Sequence, residues 1–202
     1  MFYEYVRLLR EIKPKYFLLE NVKSMSEEAK EEITRQLGVQ PIMIDSKTLS
    51  AQSRKRLYWT NIPNVTQPED KSIKLQDILE YGYADRDKSL CIARRYAGCS
   101  GSQSYLCRRY FGKSFYQIVF TSKEDRDYVK NLWKENPRFT DEELGRNIVR
   151  PLTCLECERL QTLPDNYTAM IPSDFARRAL CGNGWTVDVI VHLLNCLKEN
   201  LE

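Results

Sequence analysis

Tyr16-Phe17-Leu18-Leu19 is a short, almost wholly apolar run that stops abruptly at Glu20-Asn21. A continuous apolar stretch of this length suits a strand covered on both faces, as in a parallel sheet, and places the chain among the α/β folds. Lys13-Pro14-Lys15 ahead of it reads as the loop leading in. Glu20 and Asn21 then stand at the carboxyl end of the strand, the edge where open α/β sheets bind ligands. A carboxylate there is either a satisfied structural acid or a group aimed at a substrate; perturbed acids cluster at such edges.

Around this strand the elements follow in order. Met1 to Ile12 carries Phe2, Tyr5, Val6, Leu8, Leu9 and Ile12 near helical spacing, with Pro14 just beyond. Ser24 or Ser26 caps a second helix that has Glu27 and Glu28 in its first turn and runs to about Leu37, where Gly38 ends it. Pro41 to Asp45 is a strand, Gln52 to Arg56 a polar loop, and Leu57 to Ile62 a third strand stopped by Pro63. This is one side of a doubly wound sheet, whose last two strands are joined closely enough to be antiparallel.

From Asn64 the periodicity breaks down. Short helices are predicted over Leu75–Leu79 and Asp127–Lys134, with a strand over Phe115–Phe120. Residues 64–148 are thus expected to form a small, irregular second domain. The chain then resumes with helices. One runs over Leu152–Gln161, capped by Thr153 with Glu156 completing a capping box. One runs from Ser173 to about Leu180, and an amphipathic one over Trp185–Leu197 returns to the sheet. Gly182-Asn183-Gly184 between them reads as a tight turn. The expected division is 1–63, 64–148 and 149–202.

Charge is unevenly placed. Gly82 to Gln117 holds seven basic residues (Arg86, Lys88, Arg94, Arg95, Arg108, Arg109, Lys113) against Asp85 and Asp87. That segment is +5 in a chain of formal charge +3, so the remainder is net negative. Basic charge gathered in one segment is what a nucleic-acid contact surface needs. No apolar run approaches the roughly 20 residues of a membrane helix, and the start lacks the layout of a secretory signal. The expected location is cytoplasmic, or nuclear in a eukaryote, with no membrane partner. Cys154 and Cys157 form a CxxC, but no second pair stands at zinc-ligand spacing and His192 is the single histidine. The seven cysteines read as reduced thiols, and no metal site is expected.

Four motifs follow in order: Glu20-Asn21-Val22; Gln52-x-Arg54-x-Arg56; Arg150-Pro151-Leu152-Thr153 continuing to Pro164; and Gly182-Asn183-Gly184-Trp185. Together they resemble motifs of the cytosine-5 DNA methyltransferases, over nearly the whole chain but only the second part of that family's catalytic domain. The resemblance implies part of an S-adenosylmethionine-dependent methyltransferase sheet with a target-recognition domain. Cytosine carbon 5 is a poor nucleophile. The family adds a cysteine thiolate to carbon 6, transfers the methyl group of S-adenosylmethionine to carbon 5, removes the carbon 5 proton and expels the thiolate. A carboxylic acid at ring nitrogen 3 stabilises the charge that develops; the resemblance assigns this to Glu20, with Asn21 holding the turn. Residues two apart in an extended segment face the same way, so Arg54 and Arg56 project together. By resemblance Arg56 contacts the base oxygen and Arg54 supports the same pocket, with Gln52 beside them on the substrate side. The target base must be flipped from the duplex, and sequence must be read by a separate module, for which Arg94, Arg95, Arg108 and Arg109 are the candidate phosphate or guanine contacts. Asn183, Gly184 and Trp185 are the candidate cofactor residues. Cys154 stands where many relatives have proline, and Gly184 and Trp185 where most have Ser and Val.

The family's Gly-containing cofactor loop and its Pro-Cys nucleophile loop are not found in this sequence, and none of the seven cysteines follows a proline. The expectation is a chain inactive alone, with an incomplete cofactor pocket, which works with an amino-terminal half carrying both motifs. Two alternatives stand beside it: a catalytically silent DNA-binding or regulatory module, and part of an RNA cytosine-5 methyltransferase.

Overall fold

The computed structural model describes residues 2–99, 101–113 and 116–198. Met1 and Phe115, which the sequence places in a helix and a strand, lie outside the described residues, as do residues 199–202.

Helix α1 (Phe2–Ile12) leads through strand β1 (Leu18–Val22) to helix α2 (Glu27–Leu37), strand β2 (Ile42–Asp45) and strand β3 (Lys55–Thr60). Ser26 caps α2 by accepting the Ala29 N–H, and Gly38, at φ 71°, ends it by donating to the Thr34 carbonyl. β3 lies between β1 and β2 and is antiparallel to both, so β1 and β2 run parallel to each other. Strand alternation sorts the two faces. Leu19, Leu57 and Trp59 pack with Phe2, Ile33 and Leu37 of α1 and α2. Leu18, Ile42, Ile44 and Tyr58 face the other way, against Val189 and Leu193 of the last helix. Two helical layers therefore sandwich the sheet. β1 is an edge strand among the described residues: Leu18 to Asn21 are half-buried and Val22 is exposed, where the apolar run predicts full cover.

The irregular region resolves into α3 (Leu75–Ile78), a 3-10 turn at Arg94–Gly98, α4 (Gln103–Lys113), β4 (Ile118–Phe120), α5 (Lys123–Glu135), α6 (Asp141–Leu144) and β5 (Val149–Pro151). β4 and β5 pair antiparallel. Their side chains share a core with Leu106, Tyr110, Val129 and Phe139 from the surrounding helices. Helix α4 is absent from the sequence reading because Tyr105, Leu106 and Tyr110 are interleaved there with Arg and Cys, which blurs the apolar period. Tyr96 ties this unit together: its hydroxyl donates to the Gln117 carbonyl and accepts the Leu152 N–H, both at 2.7 Å. Gly82, at φ 94°, lets Tyr83 pair with Phe120, since a Cβ there would lie 2.6 Å from the Phe120 carbonyl oxygen.

Helices α7 (Cys154–Leu160), α8 (Asp174–Asn183) and α9 (Val187–Lys198) complete the described chain. No helix among the described residues is long and apolar enough to cross a membrane. The expected turn at 182–184 is instead the end of α8, which continues through Asn183 and is closed by Gly184 donating to the Leu180 carbonyl at 2.8 Å. The expected capping box of α7 forms, and its glutamate does more than cap. Glu156 is fully buried; its carboxylate accepts N–H groups from Thr153 and Glu80 and a bidentate pair from Arg150 at 2.7 and 2.9 Å. The Arg150 guanidinium also lies 3.9 Å over the Tyr81 ring. A buried carboxylate stripped of its ion-pair partner is costly. Arg150→Ala is therefore expected to lower the unfolding free energy by about 3–5 kcal/mol in urea titration, with no loss on Arg150→Ala contradicting the role of this pair.

Candidate active site

Alternation along β3 sends Arg56 and Tyr58 to the α9 face of the sheet, with Arg54 just before the strand. On β1, Glu20 stands opposite Tyr58 and Val22 opposite Arg56, so Glu20 and Arg56 are diagonal cross-strand neighbours on one face. They meet as an ion pair, Arg56 Nε to Glu20 Oε1 at 2.8 Å, with side chains only 14% and 18% exposed. Tyr58 beneath them is buried; desolvation first, and the Glu20 charge second, push its hydroxyl up to about 12. Asn21 turns back on the backbone, its Oδ1 accepting the Val22 N–H at 2.8 Å.

The pair opens onto a cavity of about 400 Å³. The sheet contributes Glu20, Asn21, Val22, Arg54 and Arg56; the 3-10 turn region contributes Ala93, Arg94 and Arg95; the end of α8 contributes Gly182 and Asn183. A guanidinium beside a carboxyl group matches a flat polar edge with adjacent oxygen and nitrogen acceptors when the carboxyl group carries a proton, since the ionised form only accepts. The flanking arginines suit an anionic ligand.

Several candidate residues are placed elsewhere. Gln52 does not reach the cavity. It is fully buried; its amide donates to Leu160 O at 2.6 Å and Gln161 Oε1 at 3.0 Å and accepts the Ile92 N–H at 3.3 Å. Its polarity serves two segments that cross beneath the site, 160–161 and that of Ile92. Arg54 is 4% exposed and donates to backbone carbonyls, so it borders the cavity as a buried brace. Burial, then the neighbouring Arg56 charge, lower its pKa from the usual guanidinium value. Arg94 and Arg95 reach the cavity, but Arg108 and Arg109 are not among its lining residues. They lie on α4, where Arg108 donates to Phe139 O and Arg109 sits against the Tyr105 ring and hydroxyl. The cofactor candidates also divide. Asn183 is exposed at the polar cavity, whereas Gly184 and Trp185 line a separate, largely apolar cavity of about 360 Å³ with Leu163, Tyr167, Ile171 and Val187. An amide beside one cavity and a half-exposed indole beside the next fit a ligand with a polar amino-acid end and an apolar part. Of the lining residues, Ala93 is the one outside every motif and arginine pair named from the sequence, and no local signal marks it.

The seven cysteines form no disulfide, and among the described residues no group of His, Cys, Asp and Glu is placed to hold a metal. Cys91 is half-exposed near the arginines, its sulfur accepting from Arg54 Nη1 at 3.4 Å; the other six are buried.

The α/β layers and the strand-end site define a methyltransferase fold, and the comparisons agree. Two solved structures superpose over the whole chain: the S. pombe Dnmt2 methyltransferase, with a TM-score of 0.65, 18% identity and 72% of that chain covered, and the Entamoeba histolytica methyltransferase EhMeth, with 0.67, 18% and 69%. The Type II methyltransferase M.FnuDI of Fusobacterium nucleatum is 26% identical over 256 aligned residues, which span all of this chain and 69% of that protein. The family model for C-5 cytosine-specific DNA methylases matches residues 1–199, and the chain belongs to that family.

The reassignment of Gln52 is open to test. Gln52→Ala takes the acceptor from the buried Ile92 N–H and one of the donors from Leu160 O and from Gln161 Oε1, which keep Ser50 and Thr186; it is expected to cost about 1–3 kcal/mol of stability while leaving duplex DNA affinity in a gel shift unchanged. A selective loss of affinity at full stability would restore Gln52 to the substrate side.

Proposed function

We propose that this chain forms the base-binding wall and target-recognition part of a DNA cytosine-5 methyltransferase. It works with an amino-terminal half that carries the Gly loop and the Pro-Cys nucleophile. The observation that carries this reading is the Glu20–Arg56 pair, two groups held 2.8 Å apart at the end of a sheet and opening on a basic cavity. The exocyclic oxygen 2 and ring nitrogen 3 of cytosine lie side by side on one edge, both joined to carbon 2. A base flipped into the cavity meets Arg56 at oxygen 2 and Glu20 at nitrogen 3, exchanging their mutual contact for two contacts to the ring.

The chemistry then follows from charge. Addition of the partner's thiolate to carbon 6 pushes electrons into the ring, toward nitrogen 3 and oxygen 2. Glu20 donates or shares a proton at nitrogen 3, and Arg56 balances charge on oxygen 2, so carbon 5 becomes enamine-like. S-adenosylmethionine, when bound, supplies the methyl group that carbon 5 accepts. Loss of the carbon 5 proton and expulsion of the thiolate restore the aromatic ring. Asn183 and Trp185 would hold the cofactor's amino-acid end and its apolar part, and Arg94 and Arg95 would hold phosphates beside the flipped nucleotide. An apolar groove of about 320 Å³ between α1 and β1, lined by Leu8, Leu9, Ile12, Phe17 and Leu18, supports the docking of a partner there; Ile12 is 68% exposed.

Co-expression with such an amino-terminal half is expected to give methyl transfer to cytosine in duplex DNA, read as tritiated methyl incorporation. In that complex Glu20→Gln should slow methylation on the order of a hundredfold or more, with DNA binding nearly unchanged because nitrogen 3 is engaged mainly in the transition state. Full activity of the Glu20→Gln complex would remove the proposed mechanism and leave the chain a recognition module.

A further inference from the structure

Arg54 is a cation more than nine-tenths buried that makes no ion pair with a carboxylate among the described residues; it donates instead to three backbone carbonyls on two distant segments. Nη1 reaches Ile92 O at 2.7 Å. Nη2 reaches Gly184 O at 2.8 Å and Gly182 O at 3.3 Å. The last two belong to the carboxyl end of α8, where unsatisfied carbonyls and the helix dipole concentrate negative charge and favour a cation. The planar guanidinium thus caps α8 and, through its other nitrogen, holds the strand of chain that enters the 3-10 turn.

Gly182 makes the same seam possible from the other side. A Cβ on Gly182 would lie 2.3 Å from the Ala93 carbonyl carbon and 2.5 Å from the Arg94 nitrogen. Both are backbone atoms, which cannot swing aside as a side-chain tip can. The bare Cα therefore lets the turn lie directly on the helix, and this contact presents Arg94 and Arg95 to the cavity that holds Glu20.

We propose that Arg54 and Gly182 form a latch that fixes the Ile92–Arg95 segment to the end of α8, and that Arg54 is a positioning residue which acts on DNA only by presenting Arg94 and Arg95. The DNA part of this inference rests on the function proposed above; the latch itself does not.

Hydrogen–deuterium exchange of the whole chain tests the latch without any catalysis. In Arg54→Ala and in Gly182→Ala, peptides covering residues 92–98 and 181–185 are expected to exchange at least about tenfold faster, with β1, β2 and β3 unchanged. Unchanged exchange in both segments overturns the latch, and if Arg54→Ala yields no folded protein, Gly182→Ala decides alone. Gel-shift titration of a mixed-sequence duplex tests the indirect role. Arg54→Ala, the Arg94→Ala/Arg95→Ala pair and the triple variant are expected to lose affinity to the same extent, on the order of tenfold, because the three act as one unit. Losses that multiply in the triple variant would mean that Arg54 meets the DNA itself and overturn the positioning role. Wild-type affinity in the Arg94→Ala/Arg95→Ala pair would refute the DNA reading of that wall, while the exchange measurement still decides the latch.

Discussion

A guanidinium and a carboxylate meet diagonally across two antiparallel strands at the end of a sheet. Neither Arg56 nor Glu20 is deeply buried, yet both are largely withdrawn from water, where a charge pair is screened less than on an open surface. Their positions depend on register: a one-residue slip of β3 against β1 would turn Arg56 toward α1 and α2 and put Leu57 on the cavity side. The two apolar clusters on opposite faces of the sheet oppose that slip, because Trp59 would leave its place against α1 and α2 and the Thr34 hydroxyl that accepts from its Nε1 at 2.9 Å. The helical layers thus serve the site by holding register, and the site requires nothing unusual of the backbone within the strands.

Around this pair the chain converges from three directions. Gln52 and Arg54, immediately before β3, satisfy buried carbonyls and an N–H from the regions of Leu160, Ile92 and Gly184. Lys88 adds a further tie by donating to the carbonyls of Lys47, Ser50 and Ile73. These contacts are polar and directional, and they join the sheet, the recognition unit and the carboxyl-terminal helices at one place. A seam built this way specifies geometry more than it adds net stability, since each contact replaces one with water, while each omission leaves a buried group unpaired. The cavity walls are therefore set by the same residues that set the relation between the units.

What could be read from the sequence was what local physics controls. The apolar run before Glu20 located β1 and the strand end where the Glu20–Arg56 pair stands, Ser26 and Gly38 bounded α2, and Thr153 with Glu156 announced the α7 cap. Where tertiary contacts decide, the reading stopped short. Gly182 looks like a turn residue because glycine usually marks one, but here its missing side chain serves close packing inside a helix. Gln52 has the polarity of a surface loop, and only the three-dimensional crossing of Leu160, Gln161 and Ile92 reveals that it is internal. The basic segment reads as one surface by composition, yet Arg94 and Arg95 reach the cavity while Arg108 and Arg109 ride on α4, a separation that charge counting cannot detect. Arg54 and Arg56 share a face, as an extended segment requires, but one points into backbone carbonyls and the other into a carboxylate.

The central claim is that Glu20 and Arg56 activate a cytosine ring for attack by a thiolate that another part of the enzyme supplies. Duplex DNA with 5-fluorocytosine in place of cytosine tests it directly: fluorine cannot leave as a cation, so the final elimination stops and the covalent adduct persists. Peptide mapping of the trapped complex formed with an amino-terminal half should find the base on that half's Pro-Cys cysteine, and the adduct should fail to accumulate when Glu20 is replaced by glutamine. An adduct on one of this chain's own thiols, Cys91 foremost, or one that forms equally well without the Glu20 carboxyl group, would contradict the account.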